Sequence, residues 1–518
     1  MFYVKSDEEI LEAIDMETSF GQIMPYFDTP DFRDATKVEL VEMAVIQDDG
    51  NFLLFNPMTA TWCFVDDDEW RICRSMRGQT RFADLRNIAR GCSDDSLKEF
   101  LSHLYRRGLL KVEGKAGIDQ HIYANGPLFH KQYLVELLIT EGCNLACEYC
   151  FANAHRRGDT MPLEIGRRAI EKAFALPGDK LIIEFAGGET FTQFGTFVKL
   201  VEYIEAAVKR SDKTVEIVAQ SNGTLFRKHK IIRFLDRHRV RVGISLDGPP
   251  EINDKTKHFP DGESSYAHTL RGVERLRHYG LKEVPLLTVV TKHNVHRAAS
   301  VLDHFSALGM YHVMFNPILP RGRAGLRWDD LGITGEQYFE FMKEVLDYHE
   351  NGRGFEDLNL ARMMRNLMRR TRDFRCFRSP CGAGFDYFSI DPRGDIYPCA
   401  HHVDKPELRM GNVADPEDLN VYVFKNRIVQ EMKMKRIVAN IPECRECTWR
   451  HLCEGGCSLD TYAEYGTLYH STPMCEYYKL MYPYLLTRIV RRPEVILNCL
   501  PDAAVTQFSL RTVEHVLR

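Results

Sequence analysis

At 518 residues the chain is too long for one ordinary core, so two to four domains with ample buried surface are expected. Its 68 Lys and Arg against 73 Asp and Glu give a net charge of −5, which offers no electrostatic case for binding nucleic acid. No apolar run reaches the ~20 residues needed to cross a bilayer, and acidic residues occupy the start where a signal peptide needs a basic flank, so a soluble, cytoplasmic protein with no membrane or nucleic-acid partner is expected.

Residues 1–125 read as a small α/β domain. Apolar runs at 40–46 and 52–55 are separated by Asp48-Asp49-Gly50, a composition that suits a hairpin turn. Two short helical patterns follow. Ser96 and Glu99 then form a capping-box pair, and Leu97, Phe100, Leu101 and Leu104 recur on one helical face up to Gly108, before the apolar run 109–112. Strands, three helices and a closing strand make a winged-helix-like α/β domain, suited to a DNA-binding wing or to a packing role.

Residues 126–320 alternate β and α. Strands are expected at 134–139, 181–185, 215–219, 240–244, 286–290 and 313–315, with amphipathic helices between them. Six such units imply a parallel sheet with helices outside, and periodicity leaves open whether the sheet closes. In such folds chemistry gathers at the carboxyl ends of the strands. Cys143, Gly187, Asn222 and Asp247 fall there. Residues 321–375 form an Arg-rich helical bridge, with helices at 336–349 and 360–370 and its charge expected on a solvated face. Residues 376–484 are rich in Cys, Gly and Pro, and 485–518 form a C-terminal tail.

The 15 cysteines admit disulfides, zinc or iron–sulfur clusters, and a reducing compartment disfavours the first. Cys63, Cys73, Cys92 and Cys499 are scattered and read as buried small hydrophobes. Cys143, Cys147 and Cys150 lie within eight residues directly after the first parallel strand, a spacing that curls around one compact centre. Three thiolates on a four-iron cluster leave one iron open to a ligand. A zinc loop completed by His155 is the alternative. The C-x3-C-x2-C spacing with Tyr149 before the last cysteine resembles the radical S-adenosylmethionine (radical SAM) superfamily.

Phe185-Ala-Gly187-Gly188-Glu189 resembles that superfamily's Gly-Gly-Glu-Pro segment, with Thr190 where Pro is usual. The resemblance implies close approach of backbone to ligand at the glycines, and a carboxylate at Glu189 for the methionine ammonium. Gln220-Ser221-Asn222-Gly-Thr and Ser245-Leu-Asp247-Gly-Pro-Pro resemble the third- and fourth-strand segments. Ser221, Asn222, Ser245 and Asp247 are thereby candidates to hold the ribose and carboxylate of SAM, or are turn and cap residues. The implied fold is a partial (β/α)6 TIM-like barrel.

Downstream, Cys381, Gly394 and Cys399 follow C-x12-G-x4-C. Cys444, Cys447, Cys453 and Cys457 follow C-x2-C-x5-C-x3-C, and Cys475 closes the set. This resembles the SPASM extension of radical SAM peptide maturases, which implies two auxiliary four-iron clusters. The first would take Cys376, Cys381, Cys399 and Cys457, with an open iron if Cys376 does not bind. The second would take Cys444, Cys447, Cys453 and Cys475. A zinc ribbon over 444–457 is the alternative.

The resemblance implies three [4Fe-4S] clusters, SAM, and an electron donor such as flavodoxin or ferredoxin. It further implies hydrogen abstraction by a 5′-deoxyadenosyl radical, with an oxidative crosslink in a ribosomally synthesised precursor peptide as the leading expectation. The N-terminal domain resembles the PqqD-like recognition element that binds a leader peptide as an added strand. Two rival functions remain. One is formylglycine formation by an anaerobic sulfatase maturase, where an Asp follows the cysteine matching Cys399 and acts as base. Here Ala400, His401 and His402 follow, and either His could accept a proton near neutral pH. The other is a zinc-binding peptide or DNA adaptor without catalysis.

Overall fold

The computed structural model describes residues 30–48, 50–116, 132–281, 283–350, 355–368, 376, 381–403 and 405–492. Asp49 of the expected turn, the boundary at 125/126, Cys499 and the tail beyond 492 lie outside these residues.

The N-terminal domain contains β1 (Lys37–Leu40), β2 (Ala44–Asp48), β3 (Asn51–Asn56), β4 (Thr61–Val65), α1 (Asp67–Ser75), β5 (Thr80–Arg81), α2 (Phe82–Ile88), α3 (Asp94–Arg106), β6 (Leu110–Val112) and β7 (Lys115–Ala116). The expected run at 40–46 is two strands rather than one, because β1 and β2 serve different sheets, ordered β5-β1-β6-β7 and β2-β3-β4. The hairpin is a three-stranded meander, with β4 unforeseen. Ser93, not Ser96, caps α3, its hydroxyl accepting from the Ser96 amide at 3.1 Å.

Period-two alternation gives the β2-β3-β4 sheet two apolar faces. Phe52, Leu54, Cys63 and Val65 pack with Ile72, Leu97 and Leu101 of the domain's own helices. Leu53, Phe55, Trp62 and Phe64 join the main core of the protein. Trp62 donates its indole N–H to the Leu367 carbonyl at 2.7 Å. The domain is therefore welded to the body through a full sheet face. Cys63 and Cys73 are buried as expected, whereas Cys92 is exposed.

The six expected parallel strands are present as β8 (Gln132–Thr140), β9 (Lys180–Gly187), β10 (Thr214–Ser221), β11 (Arg241–Ser245), β12 (Leu286–Val290) and β13 (His312–Pro317). They pair in sequence order, interleaved with α4 (Leu163–Phe174), α5 (Phe194–Val208), α6 (His229–Arg237), α7 (Tyr266–His278) and α8 (Ala298–Ala307). After α9 (Gly335–Glu350), β14 (Glu356–Asp357) adds beside β13 and leads into α10 (Leu358–Met368). On the other edge, β15 (Tyr387–Ile390) pairs parallel to β8, followed by antiparallel β16 (Asp395–Tyr397) and β17 (Gly411–Asn412). The sheet thus has ten strands, and the Cys-rich region supplies three of them.

The remaining helices include α11 (Arg427–Met434), α12 (Ser458–Tyr465) and α13 (Cys475–Arg491). The last runs across the expected 484/485 boundary, so residues 485–491 are not a tail: Leu485, Leu486 and Ile489 are buried in the main core. In the Arg-rich bridge Arg327 is exposed as expected, but Arg321 and Arg323 depart from a solvated face: Arg321 is only 7% exposed and Arg323 binds the cysteine loop described below. Among the described residues no helix is long and apolar enough to cross a membrane.

Candidate active site

The loop bearing Cys143, Cys147 and Cys150 leaves β8 and folds over the end of β9. Gly187, at φ +128°, leaves no space for a Cβ, which would stand 2.2 Å from the Thr140 carbonyl oxygen, and a Cβ on Gly188 would stand 2.3 Å from that of Gly142. The Gly188 and Glu189 amides donate to those carbonyls at 2.8 and 2.9 Å. The glycine pair, read from sequence as making room for a ligand, makes room for the cysteine loop itself. From the far side Arg323 donates to the carbonyls of Cys147 and Ala154, each at 2.7 Å. His155 accepts from the Cys143 amide through its carbonyl while its side chain is exposed, so it does not complete a zinc loop.

A ring of polar groups surrounds this loop. Glu189 is buried and accepts from the Ser221 hydroxyl at 2.9 Å and from the amides of Asn222 and Phe191 at 2.8 and 3.2 Å. It caps a short 3-10 helix, Thr190–Gln193, in which Thr190 takes the first position, a place that Pro also suits. Asn222 donates to the Asn144 side chain at 3.0 Å, with its amide nitrogen 4.0 Å from the Cys143 sulfur. Tyr149 donates to one Asp247 oxygen at 2.5 Å, and the Val289 amide donates to the other at 3.0 Å. Ser245 accepts from Lys257 at 2.5 Å.

Sequence reasoning missed Lys257. It is 1% exposed, and its charge acts on Cys143, Cys147 and Glu189. Burial pushes the Cys143 and Cys147 thiols up to about 12 and raises Glu189, while Lys257 pulls all three back down. Within Asn253-Asp254-Lys255-Thr256-Lys257 nothing local separates this lysine from a solvated one.

The second cysteine field forms two cages. Cys399 and Cys457 each feel the charge of Cys381, Cys399 feels that of Cys376, and Cys457 that of Cys399, so these four thiols lie together, with Cys376 exposed at the edge. Cys444, Cys447, Cys453 and Cys475 line one pocket with Trp449 and Arg450. Burial pushes Cys444 up to about 12 and Cys399, Cys453 and Cys457 higher. Desolvated thiols that repel one another as anions form a donor set suited to a bound cationic metal centre, which deprotonates them. Both cages and the Cys143 loop fit iron–sulfur clusters by this chemistry. The N-terminal sheet closes over the second cage, with the Phe55 ring tilted against that of Trp449 at 4.9 Å and Met58 touching Arg450.

The second cysteine field reaches the sheet that carries the first, because β15 pairs with β8. Ala400, next to Cys399, packs on Leu138 of β8 and Ala186 of β9, the residue before Gly187. Below them Glu136 and Glu184 stand in register on adjacent strands. Tyr387 bonds Glu136, and Gln220 donates to Glu184 at 2.6 Å. Burial and Glu184 push Glu136 up to about 8. A carboxylate amid each otherwise apolar strand was the available sequence signal for this pair.

The two histidines diverge. His402 is fully buried between Arg321 and Asp460, with Arg321 nitrogen 2.8 Å from its Nε2, so it is sealed in a structural network rather than free to serve as a base. His401 is exposed, its ring 5.2 Å from that of Phe151 beside Cys150.

The sequence matches the Radical SAM superfamily over residues 137–304 and the iron–sulfur cluster-binding SPASM domain over 381–448. The chain therefore carries a radical SAM domain followed by a SPASM domain, which imply a SAM-binding four-iron cluster and auxiliary clusters. It is 27% identical over 343 residues to an uncharacterized protein of Archaeoglobus fulgidus, covering 66% of this chain and 77% of that one. It is 25% identical over 370 residues to a cysteine-type anaerobic sulfatase-maturating enzyme of Clostridium perfringens, covering 68% and 95%. The fold superposes on anSMEcpe with bound AdoMet at TM-score 0.61 and 22% identity, covering 70% of this chain and 98% of that chain. Streptococcus suis SuiB bound to its precursor peptide SuiA superposes at TM-score 0.50 and 14% identity, covering 85% and 99%.

Proposed function

We propose that this protein is a radical SAM enzyme that introduces an oxidative crosslink into a ribosomally synthesised precursor peptide. The observation that supports the reading is that Ala400, beside Cys399, packs on Leu138 and Ala186 of the two strands that flank the first cysteine loop, so an alanine follows the cysteine where a sulfatase maturase would carry its Asp base. The likeness to a precursor-bound enzyme extends over 85% of the chain, against 70% for anSMEcpe. Cys143, Cys147 and Cys150 would hold the SAM-binding cluster. Cys376, Cys381, Cys399 and Cys457 would hold the first auxiliary cluster, and Cys444, Cys447, Cys453 and Cys475 the second. When bound, these groups supply a 5′-deoxyadenosyl radical for hydrogen abstraction and an acceptor for the electron that a crosslink releases.

The chain's own residues position and enclose. Glu189, Ser221, Asn222, Ser245 and Asp247 would orient SAM, with Tyr149 fixing Asp247 and Lys257, bonded to Ser245, supplying a buried positive charge that would favour an anionic group of SAM. His401 is the candidate proton acceptor. The leader would add as a strand to β2, whose outer edge pairs with no described strand, and a flavodoxin or ferredoxin would supply the reducing electron. Formylglycine formation is the second reading, favoured by the 95% coverage of the Clostridium perfringens enzyme. Mass spectrometry of a co-expressed precursor peptide separates them. A loss of two hydrogens with a new crosslink supports the first, and an aldehyde at a Cys or Ser supports the second. An unmodified peptide beside colourless, zinc-loaded protein would sink both.

Lys257→Met is expected to weaken SAM binding roughly ten- to a hundredfold, since a hydrogen bond to a charged group contributes about 1.5–3 kcal/mol. Equilibrium binding to anaerobically reconstituted protein measures this, and an unchanged Kd would mean that Lys257 merely braces Ser245.

A further inference from the structure

Cys453 and Cys457 belong to different thiol cages yet are joined by three residues, Glu454-Gly455-Gly456. All three adopt left-handed backbone, at φ +52°, +74° and +69°, and Glu454 does so as a buried non-glycine residue. Such a connector turns its carbonyls inward, and they need donors. Arg436, 5% exposed, supplies them: its guanidinium donates to the Gly455 carbonyl at 2.9 Å, to that of Glu454 at 3.4 Å, and to that of Leu468 at 2.9 Å. The guanidinium also packs under Gly455, where an added Cβ would stand 3.2 Å from its nearer nitrogen.

We propose that Arg436 is a positioning residue for both auxiliary sites: it clamps the connector between the two cages and places one fixed positive charge between them. This rests on the ligand sets proposed above. A buried cation is costly unless anionic groups compensate it. Four thiols, Cys381 and Cys457 from one cage and Cys444 and Cys453 from the other, act on Arg436 and favour its charged form, while burial opposes it. With clusters bound, the anionic charge on both sides increases on reduction, so a fixed cation between them stabilises both reduced states. Charge and hydrogen bonding around a cluster are established levers on its potential.

The test uses the full-length chain with Cys143, Cys147 and Cys150 changed to Ala, so that the auxiliary sites alone titrate by electron paramagnetic resonance. Wild-type Arg436 in this background should carry about 8 irons per chain. Fewer would overturn the ligand sets themselves. Arg436→Gln, which keeps a donor for the connector but removes the charge, should lower the reduced-to-oxidised ratio of both sites about tenfold at fixed poise, equal to about 59 mV for one electron. Arg436→Lys, which keeps the charge, should restore most of that ratio. Equal behaviour of the Gln and Lys variants, or a shift at one site alone, would overturn the inference with the ligand sets intact. If Arg436→Gln fails to take up iron, Arg436→Lys still decides: a tenfold fall in its ratios would refute the role of charge.

Discussion

Replacing Cys147 by Ala is expected to abolish reductive cleavage of SAM while leaving the two auxiliary cages loaded, so that iron falls from about 12 to about 8 atoms per chain. The reason is structural separation. Cys147 sits on the loop that leaves β8, pinned by Arg323 through the Cys147 carbonyl, and the thiols whose charge acts on it are those of its own loop, Cys143 and Cys150, whereas Cys399 feels Cys376 and Cys381 and Cys444 feels Cys447 and Cys475. Because the Cys143 amide donates to the His155 carbonyl and the Ala146 and Glu148 amides to those of His258 and Thr256, the loop backbone is held without the Cys147 sulfur, and removing it leaves the fold in place. Iron analysis and 5′-deoxyadenosine production by anaerobically reduced protein check this. Retained SAM cleavage would move the SAM site elsewhere, and fewer than about 8 irons would overturn the auxiliary ligand sets.

The features legible in the sequence are those whose cause is local. The C-x3-C-x2-C spacing, the Gly-Gly-Glu segment and the six apolar strands each state their own constraint within ten residues, and each stands where it was expected, with strands longer by one or two residues at most ends. The cysteine field after Cys376 was legible as a set because thiols at short spacing have few other uses. What stayed hidden depends on tertiary burial. Lys257, Arg321 and Arg436 are ordinary basic residues in charged stretches, and only the fold reveals that each is under 10% exposed. Strands β15–β17 span two to four residues each, too short for alternation to register against Gly and Pro. The second apolar face of the N-terminal meander was invisible for another reason. Alternation in β3 and β4 is apolar on both faces, which periodicity alone reads as a buried run without saying that one face belongs to another domain.

Arg321 is where this hidden class should matter most for stability, and Arg321→Met is expected to cost about 3–5 kcal/mol, the range for breaking a buried ion pair from one side. Its guanidinium leaves the rim beyond β13 and reaches the Asp460 carboxylate at 2.5 Å, the His401 carbonyl at 2.7 Å and the His402 ring at 2.8 Å. Asp460 in turn donates its amide to the Cys457 sulfur at 3.4 Å, so one side chain ties the barrel rim to the first auxiliary cage. Arg321 and His402 hold the Asp460 carboxyl well below the ordinary carboxylate range, so this carboxylate stays ionised through mild acid. The acid-sensitive member is His402. Burial, with Arg321 beside it, lowers its pKa from 6.5 to about 4, so the folded state binds fewer protons than the unfolded chain between those values. Stability is therefore complete above about pH 6.5 and declines as pH falls toward 4, by up to about 3 kcal/mol at about 1.36 kcal/mol per unit. Denaturant unfolding of the anaerobic protein at pH 7 and pH 4.5 should show this loss, and His402→Gln, which keeps an acceptor for Arg321 without a titrating ring, should flatten it. An unchanged slope in that variant would place the acid-sensitive group elsewhere, while a small effect of Arg321→Met at pH 7 would show that the rim and cage dock without this link.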